Sequence, residues 1–189
     1  MRMLPVSVLL AVPMLFAPVA ALPAAAPPAL GSQPPAAAMP RVEFVFEERV
    51  TLSPAVVLGE TPLGHRQYIP ITGGKVSGPK FNGEVIPGGW DFQLRTASGC
   101  QTLTADYFLR ADDGTVIHVL NEGFSCSGAP SERTYARPRF EAPKGKFDWL
   151  TRGTFVATIE VENPPGAAPA AAGQPARLEA VRIRFYQIK

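Results

Sequence analysis

Residues 100–126 read CQTLTADYFLRADDGTVIHVLNEGFSC, two alternating runs joined by Asp112-Asp113-Gly114. Glycine supplies the positive φ that a tight hairpin needs, and a three-residue loop pairs Ala111 with Thr115. Carried outward, that register sets Phe108 opposite His118 and Cys100 opposite Cys126. Opposed cysteines on one ladder lie within reach of an S–S bond, so the register predicts a Cys100–Cys126 disulfide. A redox pair is the weaker reading, because these cysteines have no C-x-x-C spacing and no adjacent Lys or His to stabilise a thiolate.

Working back, Thr96-Ala97-Ser98-Gly99 reads as a second turn that pairs Arg95 with Cys100 and extends the same phase to a third strand. One face then carries Trp90, Phe92, Leu94, Leu103, Ala105, Tyr107, Leu109, Ile117 and Val119, which is the expected core. The other carries Asp91, Gln93, Arg95, Thr102, Thr104, Asp106, Phe108, Arg110, Val116, His118, Leu120 and Glu122. A polar face on an antiparallel sheet is ordinarily just solvated. Here Phe108 and Leu120 interrupt the charges, and Asp106 is the diagonal neighbour of His118, where a carboxylate favours the charged imidazole.

The rest of the chain follows the same period of two, as in Val42, Phe44 and Phe46, and nowhere sustains helical spacing. Expected strands are 41–52, 66–72, 75–86, 89–96, 100–111, 115–125, 134–141, 153–162 and 176–188. Lys146 to Leu150 offers at most one helical turn. Short antiparallel strands in such number make an all-β barrel or sandwich. Residues 163–176 form a charge-free Pro/Ala/Gly stretch, read as a flexible hairpin tip.

The first forty residues contain nine prolines, eleven alanines and a single charge, Arg2. Arg2, the apolar run Leu4–Phe16 and the small residues up to Ala21 match a secretory leader, 1–21. The prolines make a poor spanning helix, so no stable membrane insertion is expected after cleavage. Residues 22–40 read as a disordered Ala/Pro-rich tether ahead of a single domain, 41–189. The expected location is therefore secreted or periplasmic.

Composition excludes several partners. With 18 basic and 16 acidic residues the net charge is +2, and no window holds a Lys/Arg cluster, so no nucleic-acid partner is expected. Two His and two Cys cannot furnish a four-ligand zinc site from those residue types, and no metal is expected. Gly73-Gly74-Lys75-Val76 lacks the spacing of a phosphate loop, and Ser125-Cys126-Ser127-Gly128 is no nucleophile elbow. No cofactor is expected.

The runs Gly59-Glu60-Thr61-Pro62-Leu63-Gly64-His65-Arg66, Pro70-Ile71-Thr72-Gly73-Gly74 and Gly83-Glu84-Val85-Ile86-Pro87-Gly88-Gly89 resemble the opening of the DUF3237 (UPF0311) family. Asp91 to Arg95, Ala105-Asp106-Tyr107, Asp112-Asp113-Gly114, Asn121, Gly123, Pro138-Arg139-Phe140-Glu141 and Trp149-Leu150 continue the likeness. The resemblance implies an antiparallel, calycin-like β-barrel and no established activity. Members of the family often carry Asp where Thr104 stands and Arg where Asp106 stands, so a site using that acid is altered here.

Two functional readings follow, in different classes. One is a binding module for a small, partly apolar, anionic or carbonyl-bearing molecule, with Arg95 on the polar group, Phe108 and Leu120 in contact, and Asp91, Gln93 and Thr104 alongside. The other is a cofactor-independent cyclase, isomerase or lyase, with Asp106 and His118 moving protons and Arg95 stabilising negative charge. A structural envelope protein, self-associating as a homo-oligomer through uncovered strand edges, is the plain alternative.

Overall fold

The computed structural model describes residues 35–36, 39–126, 134–163 and 179–189. The expected leader (1–21), the tether (22–40) save residues 35, 36, 39 and 40, and the 163–176 loop save Asn163 lie outside the described residues.

Among the described residues there are nine antiparallel strands and one helical turn: β1 (Val42–Leu52), β2 (Val56–Thr61), β3 (Gly64–Ser77), β4 (Gly83–Arg95), β5 (Cys100–Ala111), β6 (Val116–Cys126), β7 (Thr134–Glu141), α1 (Asp148–Arg152), β8 (Phe155–Glu162) and β9 (Ala180–Ile188). Their order in the sheet is β1-β9-β8-β7-β6-β5-β4-β3-β2, and β1 also pairs with β3. That last pairing closes eight strands into an all-β barrel, with β2 folded back on the first half of β3 as the sheet's terminal strand.

Closure depends on glycine. β3 pairs with β2 through Tyr68 and with β1 from Ile71 onward, and the change occurs around Gly73 and Gly74. Gly74 has φ +154°, and a Cβ there would lie 2.2 Å from the Arg49 carbonyl oxygen, so no side chain fits between the two strands. The expected strand breaks at Gly73-Gly74 and Pro87-Gly88 are therefore corrected: both are register shifts inside continuous strands. The true turn is 78–82, where the Asn82 side chain hydrogen-bonds both the N–H and the carbonyl of Gly78. β2 was not expected, because Val56, Val57 and Leu58 are consecutive apolar residues without alternation, and a bulge follows Val57.

The second correction concerns phase. Cys100 opposes Cys126 and Phe108 opposes His118, as the Asp112-Asp113-Gly114 loop requires, and the two cysteines form a disulfide. Arg95, however, pairs with Gln101 rather than Cys100. The Thr96 N–H donates to the Cys100 carbonyl and Gly99 has φ +78°, so this loop too has three residues, Ala97-Ser98-Gly99, and ends on a left-handed glycine. A slip of one residue moves every side chain to the opposite face. Trp90 and Phe92, expected in the core, lie on the outer wall at 45% and 38% exposure. Asp91, Gln93 and Arg95 point into the barrel with Leu103, Ala105 and Tyr107.

The interior differs between the two ends. At the end carrying the 78–82 and 112–114 turns, Phe46, Phe81, Phe140, Phe147, Phe155 and Phe185 fill the lumen, with ring centroids 4.6 Å apart for Phe46–Phe185 and 5.2 Å for Phe81–Phe147. The turn α1 adds buried Leu150, and Trp149 packs on Phe155. Burying each such side chain contributes roughly 1.5–3 kcal/mol. The other end, where the 97–99 turn and the β2–β3 hairpin lie, is open.

The disulfide joins β5 to β6 at that open end across a sequence separation of 26. Reducing it, or the double substitution Cys100→Ala with Cys126→Ala, should lower unfolding free energy by about 3 kcal/mol on a loop-entropy basis, with near-native secondary structure kept. Denaturant unfolding with and without reductant checks this; an unchanged midpoint would refute it.

Candidate active site in the barrel lumen

The open half of the barrel holds a cavity of about 590 Å³. Its walls are largely apolar, with Val50, Leu52, Ile69, Ile71, Leu103 and Ile183 among them. Polar groups enter from a few phases only. Gln67 on β3, Asp91, Gln93 and Arg95 on β4, Gln101 on β5, and Asn121 on β6 all reach the same space.

Asp91 is held by a chain of amides. Gln67 Nε2 and Gln101 Nε2 donate to Gln93 Oε1 at 2.8 and 3.0 Å, and Gln93 Nε2 donates to Asp91 Oδ2 at 2.7 Å. With its oxygen taking two donors, Gln93 is fixed in one orientation, and it fixes Asp91. The other carboxylate oxygen, Asp91 Oδ1, is buried and has no hydrogen-bond partner. Burial raises the Asp91 pKa to about 6, against the opposing hydrogen bonds from Gln93 and the Thr104 backbone. A carboxyl group with that pKa exchanges protons readily near neutral pH.

Below it, Tyr107 reaches across the barrel and donates its hydroxyl to Glu48 Oε1. Glu48 is wholly buried, and its Oε2 has no partner. Desolvation raises its pKa to about 8, outweighing the Tyr107 hydrogen bond, so at neutral pH it is mostly an uncharged acid. Burial together with the nearby Glu48 and Asp91 carboxylates pushes the Tyr107 phenol well above its usual range. Asn121 is also fully buried, and neither Oδ1 nor Nδ2 has a partner.

Arg95 stands exposed at the rim, paired across strands with His65, whose Nδ1 lies 3.0 Å from Glu60 Oε1. The expected site residues are thus divided by the wall of the barrel. Asp91, Gln93 and Arg95 line the cavity. Thr104, Asp106, Phe108, His118 and Leu120 are on the opposite phase of β5 and β6, outside it. Asp106 and His118 do meet, Oδ1 to Nε2 at 2.7 Å, with the Phe108 ring centroid 5.0 Å from the imidazole. They do not converge with Arg95, because the one-residue difference in the β4–β5 loop puts Arg95 on the other side.

Glu48, Tyr107 and Asn121 were not read as site residues. The signal was present for two of them. Glu48 shares the inward phase of Phe46 and Val50, and Asn121 that of Ile117 and Val119, and a polar residue on an apolar phase marks a buried polar group. Among the described residues no group of three or more His, Cys, Asp or Glu is arranged to hold a metal ion.

The family described as "Protein of unknown function (DUF3237)" matches residues 40–188. A UPF0311 protein of Clostridium acetobutylicum is 36% identical over 129 residues, 60% of this chain and 82% of that one. A hydroalkoxylation enzyme of Penicillium herquei is 31% identical over 145 residues, 77% of this chain and 89% of its own length. The crystal structure of an enzyme from Penicillium herquei superimposes with a TM-score of 0.60 at 26% identity, covering 85% of this chain and all of that one.

The two buried carboxyls make stability depend on pH. Their folded pKa values lie above the ordinary 3.8 and 4.5, so between those values and about 6 and 8 the folded state binds more protons than the unfolded one. Stability is then full below about pH 4 and falls as pH rises towards 8. Glu48→Gln should flatten the upper part of this fall, gaining a few kcal/mol at pH 9 relative to pH 5. Thermal melts of both proteins across pH 4–9 test it, and parallel curves would refute it.

Proposed function

Starting from the fact that this chain belongs to the DUF3237 family, we propose that it is an acid–base enzyme acting on a small, partly apolar molecule held in the barrel lumen. One observation carries this reading: a rigidly held carboxyl, Asp91, with one oxygen unpaired, at the apolar wall of a cavity large enough for such a molecule. Proton transfer needs an oxygen free to take and return a proton, and burial raises the Asp91 pKa to about 6, where that exchange runs in both directions near neutral pH.

The reaction class this supports is addition of a hydroxyl across a carbon–carbon double bond, the chemistry named for the Penicillium relative, which closes a ring when both groups belong to one substrate. Asp91 Oδ1 takes the hydroxyl proton as the oxygen bonds to one alkene carbon. The other carbon gains a proton from the same group. One O–H bond and the π bond are lost, one C–O and one C–H bond are formed, and Asp91 ends as it began, with no oxidant or reductant consumed. Arg95 at the rim suits a carbonyl or anionic substituent, as in the binding reading, so binding at the rim and chemistry deeper in the lumen belong to one site. The Cys100–Cys126 disulfide supports folding in an oxidising compartment, and together with the leader expected over 1–21 it leads us to propose a periplasmic or secreted protein.

A panel of alkenyl phenols and alkenyl alcohols incubated in D₂O tests the proposal. Cyclised product should carry one deuterium fixed on carbon. Asp91→Asn should reduce kcat/KM about 10²- to 10⁴-fold, while His118→Ala on the outer wall should leave it unchanged. The wild-type rate should fall below a single ionisation near pH 6, where Asp91 is protonated. An Asp91→Asn protein as active as wild type would overturn the assignment.

A further inference from the structure

Asp91 on β4, Ala105 on β5 and Asn121 on β6 are direct cross-strand neighbours, Asp91 opposite Ala105 and Ala105 opposite Asn121. All three line the cavity. Neighbouring strands lie about 4.8 Å apart, so the acid and the amide flank a gap about 10 Å wide at the backbone. Only the methyl of Ala105 rises between them. Tyr107, two residues along β5 on the same phase, lines the cavity beside that gap.

Asn121 is the unusual member. A primary amide offers two N–H donors and a carbonyl acceptor, and here it is fully buried with both polar atoms unpartnered. Its strand neighbours supply nothing: Ala105 on one side has no polar side-chain atom, and Pro138 on the other has neither a polar side-chain atom nor an N–H. Leaving such a group unpaired is costly in any fold, and an apolar residue of similar volume, such as Leu, would avoid the cost. Gln93, by contrast, has its amide oxygen and nitrogen both engaged inside the protein. The two buried amides are thus in opposite states, one engaged within the wall and one left without a partner beside the cavity.

We propose that Asn121 is the recognition residue of the lumen, and that across the Ala105 gap it takes a planar edge presenting a carbonyl acceptor beside an X–H donor. A primary carboxamide, a lactam or an un-ionised carboxylic acid has that edge. Asn121 Nδ2 donates to the carbonyl and Asn121 Oδ1 accepts from the X–H group, so both orphan atoms are satisfied at once by one planar contact. Ala105 sets the thickness of what fits, since any larger residue fills the space between Asp91 and Asn121. The inference rests on the proposed function only in placing the ligand in the lumen; it requires no turnover.

Benzamide, N,N-dimethylbenzamide and ethylbenzene, titrated onto the full chain by isothermal calorimetry or protein chemical shifts, provide the test. These probes share an aromatic body and remove first the donor and then the acceptor. Benzamide should bind about tenfold tighter than the dimethyl compound, the value of one to two neutral hydrogen bonds. Asn121→Leu should bring the two within about twofold while its melting temperature stays level or rises, because a buried unpaired polar group has been removed. A structural asparagine would instead lose stability. Should Asn121→Leu fail to fold, Asn121→Ala reads the same ratio, and Ala105→Leu should block both amides by filling the gap. No preference for benzamide in the wild type, or a preference kept in the Asn121 variants, would overturn the inference. The same titration on Asp91→Asn separates the two proposals: an intact benzamide preference there, alongside unchanged turnover, would sink the acid–base reading and leave Asn121 recognition standing.

Discussion

The pairing of β1 with β3 governs this molecule. β3 serves two partners in succession, β2 along its first half and β1 along its second, and the exchange happens around Gly74, where a Cβ would lie 2.2 Å from the Arg49 carbonyl oxygen. Without that contact the strands form an open sheet with an ordinary wet face. With it, eight strands enclose a lumen, and every inward side chain must either fill that lumen or leave part of it empty.

The chain does both, in separate halves. Six phenylalanines occupy the closed end, so that half has no room for a ligand and behaves as a packed core. The Tyr107–Glu48 contact marks the boundary, and beyond it aliphatic walls are interrupted by small or amide-bearing positions, Ala55, Ala105, Gln67, Gln101 and Asn121 among them. Outside, along the seam of β1, β9 and β8, Glu47, Arg49, Glu160, Glu162, Arg182 and Arg184 form a connected ladder of ion pairs. Each exposed pair contributes little alone, but the ladder runs along the strand that closes the barrel. The dense end and the ladder hold the frame from which the amide chain aims Asp91.

Much of this was legible in the chain. The Asp112-Asp113-Gly114 loop fixed the β5–β6 register, and with it the disulfide and the Asp106–His118 contact, because a three-residue loop ending on glycine admits one pairing. The same rule applied to Ala97-Ser98-Gly99 yields the true β4–β5 register; taking Thr96 into the loop reversed the phase of β4. That single count is why Trp90 and Phe92 were read as core and Asp91 as sharing a face with His118. The barrel was expected from the family resemblance, but the place where it closes was not legible, since a Gly-Gly pair in a strand reads equally as a break, and only the partner backbone at Arg49 shows why it is a crossing. β2 lacked the alternation from which a strand is recognised.

The pairing state of the polar groups distinguishes the two sides of the barrel better than their identity does. On the outer wall Asp106 and His118 pair with each other, and the acids and arginines of the ladder are paired with one another. Inside the barrel, Glu48 Oε2, Asp91 Oδ1 and both polar atoms of Asn121 are buried without a partner from the described residues. Burial of such atoms opposes folding, and native interiors rarely keep them. Asp91 and Asn121 line the cavity and Glu48 lies against Tyr107 at its floor, so these atoms gather at one level of the barrel rather than being scattered through the phenylalanine core. A stability optimum would replace them with apolar residues, as the phenylalanine end shows this fold can do. Their retention at the open end is therefore the feature of the structure that packing alone does not explain, and it is the feature on which the proposed occupation of the lumen rests.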